Sequence, residues 1–478
     1  MRILSRLWTE VLLCLSACAG TPLTPQPQVT HAPPDAARTV DTPTVASLDK
    51  QPDTTPSATS PGRLPIDTHQ WIFTAAWNAV RDKDFDKALI DERWDGLRAK
   101  YEPLAMAAPD EATFYHLVNE MLAGLGQSHL RLHGPGELPE ERGREQESRS
   151  TRTAEVVAFG TGIGDPGIVV RDIEGQPTVF SVRPGSSAEI AGLHAGYLVT
   201  QIGGRSTSSV PSSMNVLRPA EARLELRRYA TKLLAGPIGS HVSVRFLDGD
   251  DRPHEVTLTR DAPARPAVQL PLMPPMVPEV RIGRSADVGI VAFNHFVVQP
   301  ILAEVQKAMD NFRRSGCRAI VLDLRGNTGG LGDMAIPVAA RLVSRQISLG
   351  TSQSRNNTNE FIVVPPLDSK PFTGKVFILT DEASASASEV LAAGLQEAKR
   401  AVVVGDDTPG LTLGSIVETL SGGATIQIPI FGFKTPNGVA IEGHGVHPDR
   451  RVVETRAALL AGHDPVLDEA LRIAHSTK

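Results

Sequence analysis

The chain has 478 residues, a formal charge of −6, a hydrophobic share of 41% and a charged share of 21%. That is length enough for two or three domains, and an acidic balance without a long basic run argues against a nucleic-acid partner. No apolar stretch reaches the roughly 20 residues that a membrane-spanning helix needs.

Residues 1–18 read as a targeting segment. In "MRILSRLWTEVLLCLSACAG", Arg2 and Arg6 precede a short apolar run and then small residues, the order of a secretory signal. "LSAC" resembles the bacterial lipobox. The resemblance implies lipidation of Cys18 and an anchor on the periplasmic side of the outer membrane, with the membrane met through that lipid alone. The alternative is an ordinary signal cut near Ala19. Of the three cysteines, Cys14 then leaves with the signal and Cys18 carries the lipid. Cys317 remains, expected as a small buried group before an apolar strand, so no internal disulfide and no cysteine-pair metal site is expected. Residues 19–65 are rich in Pro, Thr, Ser, Gln and Asp. They hold too little apolar surface to fold and read as a disordered tether.

Residues 66–150 read as a helical segment followed by a solvated charged loop, "GELPEERGREQESRS". "HQWIFTAAWNAVRDKDF" sets Trp71, Ala75, Asn78 and Phe85 at near-helical spacing. A second stripe holds Phe114, Leu117, Val118, Met121, Leu122 and Leu125 before a stop at Gly126. Residues 151–262 switch to strand signals. "TVFSVRPGSSAEIAGLHAGYLVTQIGGRS" is a strand, a Pro-Gly turn, a short helix capped at Ser186/Ser187 and a second strand; "HVSVRFLDGDDRPHEVTLTR" is a hairpin. This resembles a PDZ domain, except that Tyr197 stands where an aspartate is usual. The resemblance implies a mostly-β module that adds a peptide C-terminus as a strand and holds its carboxylate on loop amides. "FGTGIGDPGIVV" is the candidate carboxylate loop; a spacer with no peptide is the alternative.

From 280 to 460, "DVGIVAFNHF", "AIVLDL", "KVFILT", "AVVVGD" and "ATIQIPI" alternate with helices such as "PILAEVQKAMDNFRRSG". Alternation predicts an α/β layer with a mostly parallel sheet, whose sites lie at the carboxyl ends of strands. "FILTDEASASASEVLAAGL" leaves a strand at Thr380 and enters a helix through Ser384, Ser386 and Ser388. A serine there is a nucleophile beside free amides and the positive end of a helix dipole, or it is a helix cap. "AIVLDLRGNTGGLGD" ends a strand at Leu324 and enters a Gly-rich loop. Without a following Gly-Lys-Ser/Thr it is not a phosphate loop, which leaves an oxyanion hole or a turn. Asp323, Arg325 and Asn327 read as residues that shape that loop.

"LDLRGNTGG", then "SASASEVLAAGLQ" and "AVVVGDDTPG", together resemble the C-terminal processing (tail-specific) serine peptidases and their tricorn-core relatives, over residues 66–449. That family joins an N-terminal helical segment, a PDZ domain and a crotonase-like (ClpP-like) catalytic domain. The resemblance implies Ser386 as nucleophile, and an oxyanion hole from the amide of Ala387 and that of Gly329 or Gly330. In the processing branch a lysine base lies 25 positions after the nucleophile, where this chain has Leu411, which accepts no proton. The tricorn-like branch uses a histidine after a serine, with a glutamate before Gly-Val-x-Pro-Asp. Ser128, His129 and Glu442 occupy those places. Lys434, His444 and His447 are rival bases. The implied function is a serine endopeptidase of periplasmic proteins, acting on protein or peptide substrates with no metal or organic cofactor. The alternative is an inactive scaffold that binds peptide C-termini.

Overall fold

The structure, a computed structural model, describes residues 66–135, 158–159, 162–207, 219–268, 276–297, 299–367, 370–420 and 422–476. The signal, Cys18, the tether, the charged loop and parts of the expected PDZ interval, including Gly160 and Thr161 of the candidate carboxylate loop, lie outside the described residues.

Three helices open the described chain: α1 (Ile66–Lys83), α2 (Lys87–Met106) and α3 (Glu111–Ala123). Asp86 caps α2 by accepting from the Leu89 amide at 3.0 Å, and Asp110 caps α3 through Thr113 at 2.7 Å. The buried face of α1 is not the one expected. Trp71 is 50% exposed, whereas Ile72, Phe73, Ala76, Trp77 and Val80 are buried. The i, i+4 pairs Ile72–Ala76–Val80 and Phe73–Trp77 form the wider apolar stripe and turn the lone Trp71 outward. On α3 the expected stripe is buried apart from the half-buried Leu117. Gly126, at φ +70°, turns the chain from α3 toward β1 (Arg131–His133).

Next comes an antiparallel sheet: β2 (Ile168–Ile173), β3 (Gln176–Val182), β4 (Leu198–Ile202), β5 (Arg205–Ser206), β6 (His241–Leu247) and β7 (Pro253–Thr259). Its order is β7-β6-β4-β3-β2, with β5 on β4. The short helix α4 (Ser187–Ile190) follows its Ser186 cap as expected. Helix α5 (Pro219–Leu234) was not anticipated from the strand signals around it. Its run of Ala, Glu, Leu, Arg and Lys favours a helix. Ala230 and Leu234 close the sheet's core with Val179, Ile202 and Val244, while Leu224 faces elsewhere.

The α/β layer holds β8 (Val280–Ser285), β9 (Val288–Phe293), helix α6 (Gln299–Arg314) and β10 (Ala319–Asp323). Helix α7 (Ala335–Ala340), β11 (Ile347–Gln353) and β12 (Thr358–Val363) follow. Then come β13 (Lys375–Thr380), α8 (Ala387–Glu397), β14 (Val402–Gly405), β15 (Gly414–Thr419), β16 (Thr425–Lys434) and β17 (Arg450–Arg451). The main sheet runs β8-β9-β10-β13-β14-β17, parallel from β9 onward. Alternation along β10 sends Ile320 and Leu322 into the core under α6–α8, and Ala319 and Val321 against Val466, Ala470 and Ala474 of α10 (Pro465–Ser476), which follows the short helix α9 (Arg456–Leu460). Cys317 is buried in the first of these cores. "ATIQIPI" is not part of this sheet. It forms β16 in a separate antiparallel sheet, β1-β16-β11-β12 with β15 on β16. Ile426 and Ile428 of β16 pack into the core of α1–α3, which ties the helical segment to this second sheet.

Candidate active site

The parallel register Asp323↔Leu379 brings the carboxyl ends of β10 and β13 side by side. The loop after β10 and the serine turn after β13 therefore meet. Ser384 and Ser388 are fully buried and hold the two loops together: Ser384 Oγ donates to Leu324 O at 2.8 Å, and Ser388 Oγ to Asn327 O at 2.9 Å. Ser386 is partly exposed and sits directly before α8 with φ +55° and ψ −116°. Such a backbone stores about 1–3 kcal/mol and persists only where neighbours hold it. Here Glu389 holds it, its Oε2 accepting from the Ser386 amide at 2.8 Å.

Gly329 is pressed against this turn. A Cβ there would lie 2.7 Å from Ser386 Cβ and 2.6 Å from Ala385 O. Its amide is engaged, donating to Asn327 Oδ1 at 3.0 Å. Of the two glycine donors expected, the amide left without a hydrogen bond among the described residues is that of Gly330, and Ala387 carries a second. Asn327 is anchored in turn by donating to Phe293 O at 2.9 Å. Asp323 and Arg325 shape the loop as expected, with Arg325 Nη2 2.9 Å from Asp323 Oδ2 and 2.7 Å from Asp464 Oδ2.

Ser128, His129 and Glu442 are brought together. Ser128 Oγ lies 2.8 Å from His129 Nδ1, and Glu442 Oε1 accepts from the Ser128 amide at 3.0 Å. The glutamate thus fixes the backbone of Ser128, and among the described residues it makes no hydrogen bond to the imidazole. Its Oε2 accepts from Thr412 N at 2.8 Å. Glu389, fully buried, accepts from Leu411 N at 2.9 Å, Gly410 N at 2.7 Å and Thr408 Oγ1 at 2.6 Å besides Ser386. Residues 410–412 therefore link the carboxylate at the nucleophile to the carboxylate at Ser128. No hydrogen bond joins Ser386 to His129 among the described residues. The His129 ring keeps some solvent contact but is enclosed enough that burial, followed by the Arg228 charge, pushes its pKa down to about 4; Glu221 opposes this. The imidazole is therefore neutral at pH 7.

Leu411 is buried beside Ala383, Ala385 and Leu224 of α5, filling the lysine place with an apolar contact. Lys434 and His444 are exposed, and the exposed His447 pairs with Asp407 at 2.8 Å. Two features escaped the sequence reading. His295, in "FNHF" at the carboxyl end of β9, lies 3.3 Å from Thr328 Oγ1, and burial and then Arg227 push its pKa down to about 4. The strand-end rule that selected Ser386 points to it too. The second is a buried ionic cluster. Arg171 of β2 donates to Glu382 at 2.9 and 2.5 Å and to Glu454 at 3.2 Å, and Arg227 of α5 reaches Asp381 at 3.3 Å. Among the described residues no group of three His, Cys, Asp or Glu is placed to hold a metal.

Residues 287–452 match peptidase family S41, and residues 66–123 match the tricorn protease C1 domain. The chain is 28% identical over 395 residues to a carboxyl-terminal-processing protease of Synechocystis, covering 82% of this chain and 83% of that one. It is 27% identical to the chloroplastic C-terminal processing peptidase of Tetradesmus obliquus, over 80% of this chain and 77% of the relative. Its fold matches the photosystem II D1 C-terminal processing protease with a TM-score of 0.53 at 24% identity, covering 86% of this chain and 98% of that one. It matches mature CPAF with a TM-score of 0.57 at 12% identity, over 86% and 96% of the two chains. Residues 287–452 thus carry a peptidase family S41 domain, and the chain is similar over four-fifths of its length to carboxyl-terminal-processing serine peptidases.

Proposed function

We propose that the protein is an endopeptidase of periplasmic proteins that uses Ser386 as nucleophile and His129 as base, in a Ser-His-Ser-Glu arrangement. The observation that carries this reading is the linked network itself: a strained, partly exposed Ser386 directly before Ala387 and pressed against Gly329, tied through Glu389, residues 410–412 and Glu442 to the Ser128–His129 pair. Ser386 Oγ attacks the peptide carbonyl carbon while His129 Nε2 takes its proton. The Gly330 and Ala387 amides receive the oxyanion. His129 returns the proton to the departing amine, and water then releases the acyl group by the same steps reversed. Ser128 Oγ on Nδ1 sets the tautomer that leaves Nε2 facing the reaction. The reading requires the imidazole to close on Ser386 when substrate binds. On this reading the catalytic layer is crotonase-like, the β2–β7 unit is the PDZ module that takes a substrate C-terminus, and a lipid on Cys18 holds the enzyme at the outer membrane.

Leu411 and the missing Ser386–His129 contact favour a second reading, a scaffold that binds C-termini without cutting. A soluble fragment starting at Arg63, incubated with an unfolded protein and read by mass spectrometry, separates the two. Cleavage lost in both Ser386→Ala and His129→Ala supports the enzyme. Cleavage surviving in His129→Ala removes that base, and silence in the parent fragment favours the scaffold.

A further inference from the structure

Directly after α1 comes Asp84, a fully buried carboxyl group. Its Oδ1 accepts from the Asp86 amide at 2.8 Å and from Gln127 Nε2 at 3.1 Å. Its Oδ2 and Gln127 Oε1 are both buried with no donor among the described residues. Two side chains joined by one hydrogen bond thus each keep a second acceptor with nothing to accept. An orphaned buried acceptor costs free energy, and a carboxylate has no proton to give. A carboxylic acid has one. Facing a carboxamide, it closes a ring of two antiparallel bonds, N–H to Oδ1 and Oδ2–H to Oε1.

The surroundings favour the acid. Burial is the largest influence on Asp84 and, with Asp86, pushes its pKa up to about 6 against the Asp86 and Gln127 donors and Arg355. Arg355, from the β11–β12 turn, lowers the pKa from a distance, and its guanidinium is bound to the main-chain carbonyls of Asp84 and Arg81 rather than to the carboxyl group. Gln127 directly precedes Ser128 and His129. His129 itself has φ +58°, a left-handed backbone that a non-glycine residue keeps only when held.

We propose that Asp84 is a positioning residue: it retains a proton that closes a two-bond ring with Gln127, and this ring holds the turn from which Ser128 and His129 project. Its catalytic meaning rests on the Ser386–His129 reading. On ionisation the proton leaves to solvent, two acceptors face each other, and the turn slackens.

The test follows the imidazole ¹⁵N signals of His129 in the mature protein between pH 5 and 7.5, beside Ser386-dependent cleavage, for wild type, Asp84→Asn and Asp84→Ala. Asn presents an N–H where the acid has its O–H, and it does not titrate. The wild-type signals are expected to shift with an inflection near pH 6, and kcat to fall about tenfold above it with KM unchanged. Asp84→Asn should keep the low-pH signals and a flat kcat throughout, and Asp84→Ala should show the high-pH signals at every pH. Wild-type signals that do not move, or the same inflection in Asp84→Asn, overturn the ring even if cleavage depends on His129. A Asp84-dependent inflection without cleavage in any form upholds the ring and overturns only the role of His129 as base.

Discussion

Glu389→Gln replaces one oxygen of the side chain that grips the nucleophile, and its consequences for stability and for catalysis should separate. Glu389 accepts from four donors, two on each oxygen. A Gln carbonyl serves one pair, and its NH2 then confronts the other. Two buried donors without acceptors cost roughly 2–6 kcal/mol, at about 1–3 kcal/mol each. Set against this is the burial of charge. Burial pushes the Glu389 pKa from 4.5 up to about 7 despite those four donors. Because the folded pKa lies above the unfolded one, wild type loses stability as pH rises from 4.5 through 7, by about 3 kcal/mol at 1.36 kcal/mol per pH unit. Gln never carries the charge. At pH 8 the two effects nearly cancel, and the unfolding midpoint should move by only a few degrees; at pH 5, where wild type has not yet lost that stability, the variant should be clearly weaker. Catalysis has no such compensation. Releasing the Ser386 amide lets a backbone strained by about 1–3 kcal/mol relax, and at 1.36 kcal/mol per tenfold the expected loss in kcat is about 10- to 100-fold. Thermal unfolding at pH 5 and 8 and cleavage of an unfolded protein substrate read both. A kcat within twofold of wild type, or a variant whose stability falls with pH as the wild type's does, would refute the reasoning.

Leu411→Ala should retain cleavage while losing about 2–4 kcal/mol of stability, since a buried leucine is truncated among Ala383, Ala385 and Leu224; a variant still folded at the assay temperature but inactive would count against it. Gly329→Ala should abolish cleavage without unfolding the protein, because its methyl would meet Ser386 Cβ at 2.7 Å and φ is +89°; normal kcat would show that the loop does not support the nucleophile. Arg171→Ala leaves Glu382 buried with only Arg227, 4.0 Å away, and takes from Glu454 one of its two guanidinium partners; it should cost about 3–5 kcal/mol, seen as a lower denaturant midpoint. Arg171→Met with Glu382→Gln should recover much of that loss, and an unchanged midpoint in Arg171→Ala would deny the cluster any role in stability.

The serine turn and the Gly-rich loop were legible because each carries its chemistry in consecutive residues: a strand, a break, then small side chains before a helix. The Ser128–His129 pair and Glu442 were reachable through resemblance, yet the contact Glu442 makes is with a backbone amide, which no sequence pattern encodes. Glu389, three residues after Ser386, fits an ordinary helix cap in sequence; its three further donors come from residues 408–411, which only folding brings near. Helix α5 was hidden by the strand signals on either side. Trp71 misled because an aromatic residue dominates a local reading, whereas the buried face is decided by the breadth of the stripe beside it. "ATIQIPI" alternates as a strand should, but alternation does not say which sheet a strand joins.

The cluster of Arg171, Arg227, Arg325, Asp323, Asp381, Glu382, Glu454 and Asp464 draws three guanidinium groups and five carboxyl groups from β2, α5, the β10 and β13 turns and the chain before α10. Surface pairs such as Arg472–Glu469 can drift one residue at a time with little effect. The cluster cannot, because Arg171, Asp381, Glu382 and Glu454 are all buried and share partners. Related sequences should therefore differ here in sets or not at all, and grafting the β2–β7 unit of one relative onto the peptidase layer of another should succeed only when the matching acids travel with Arg171.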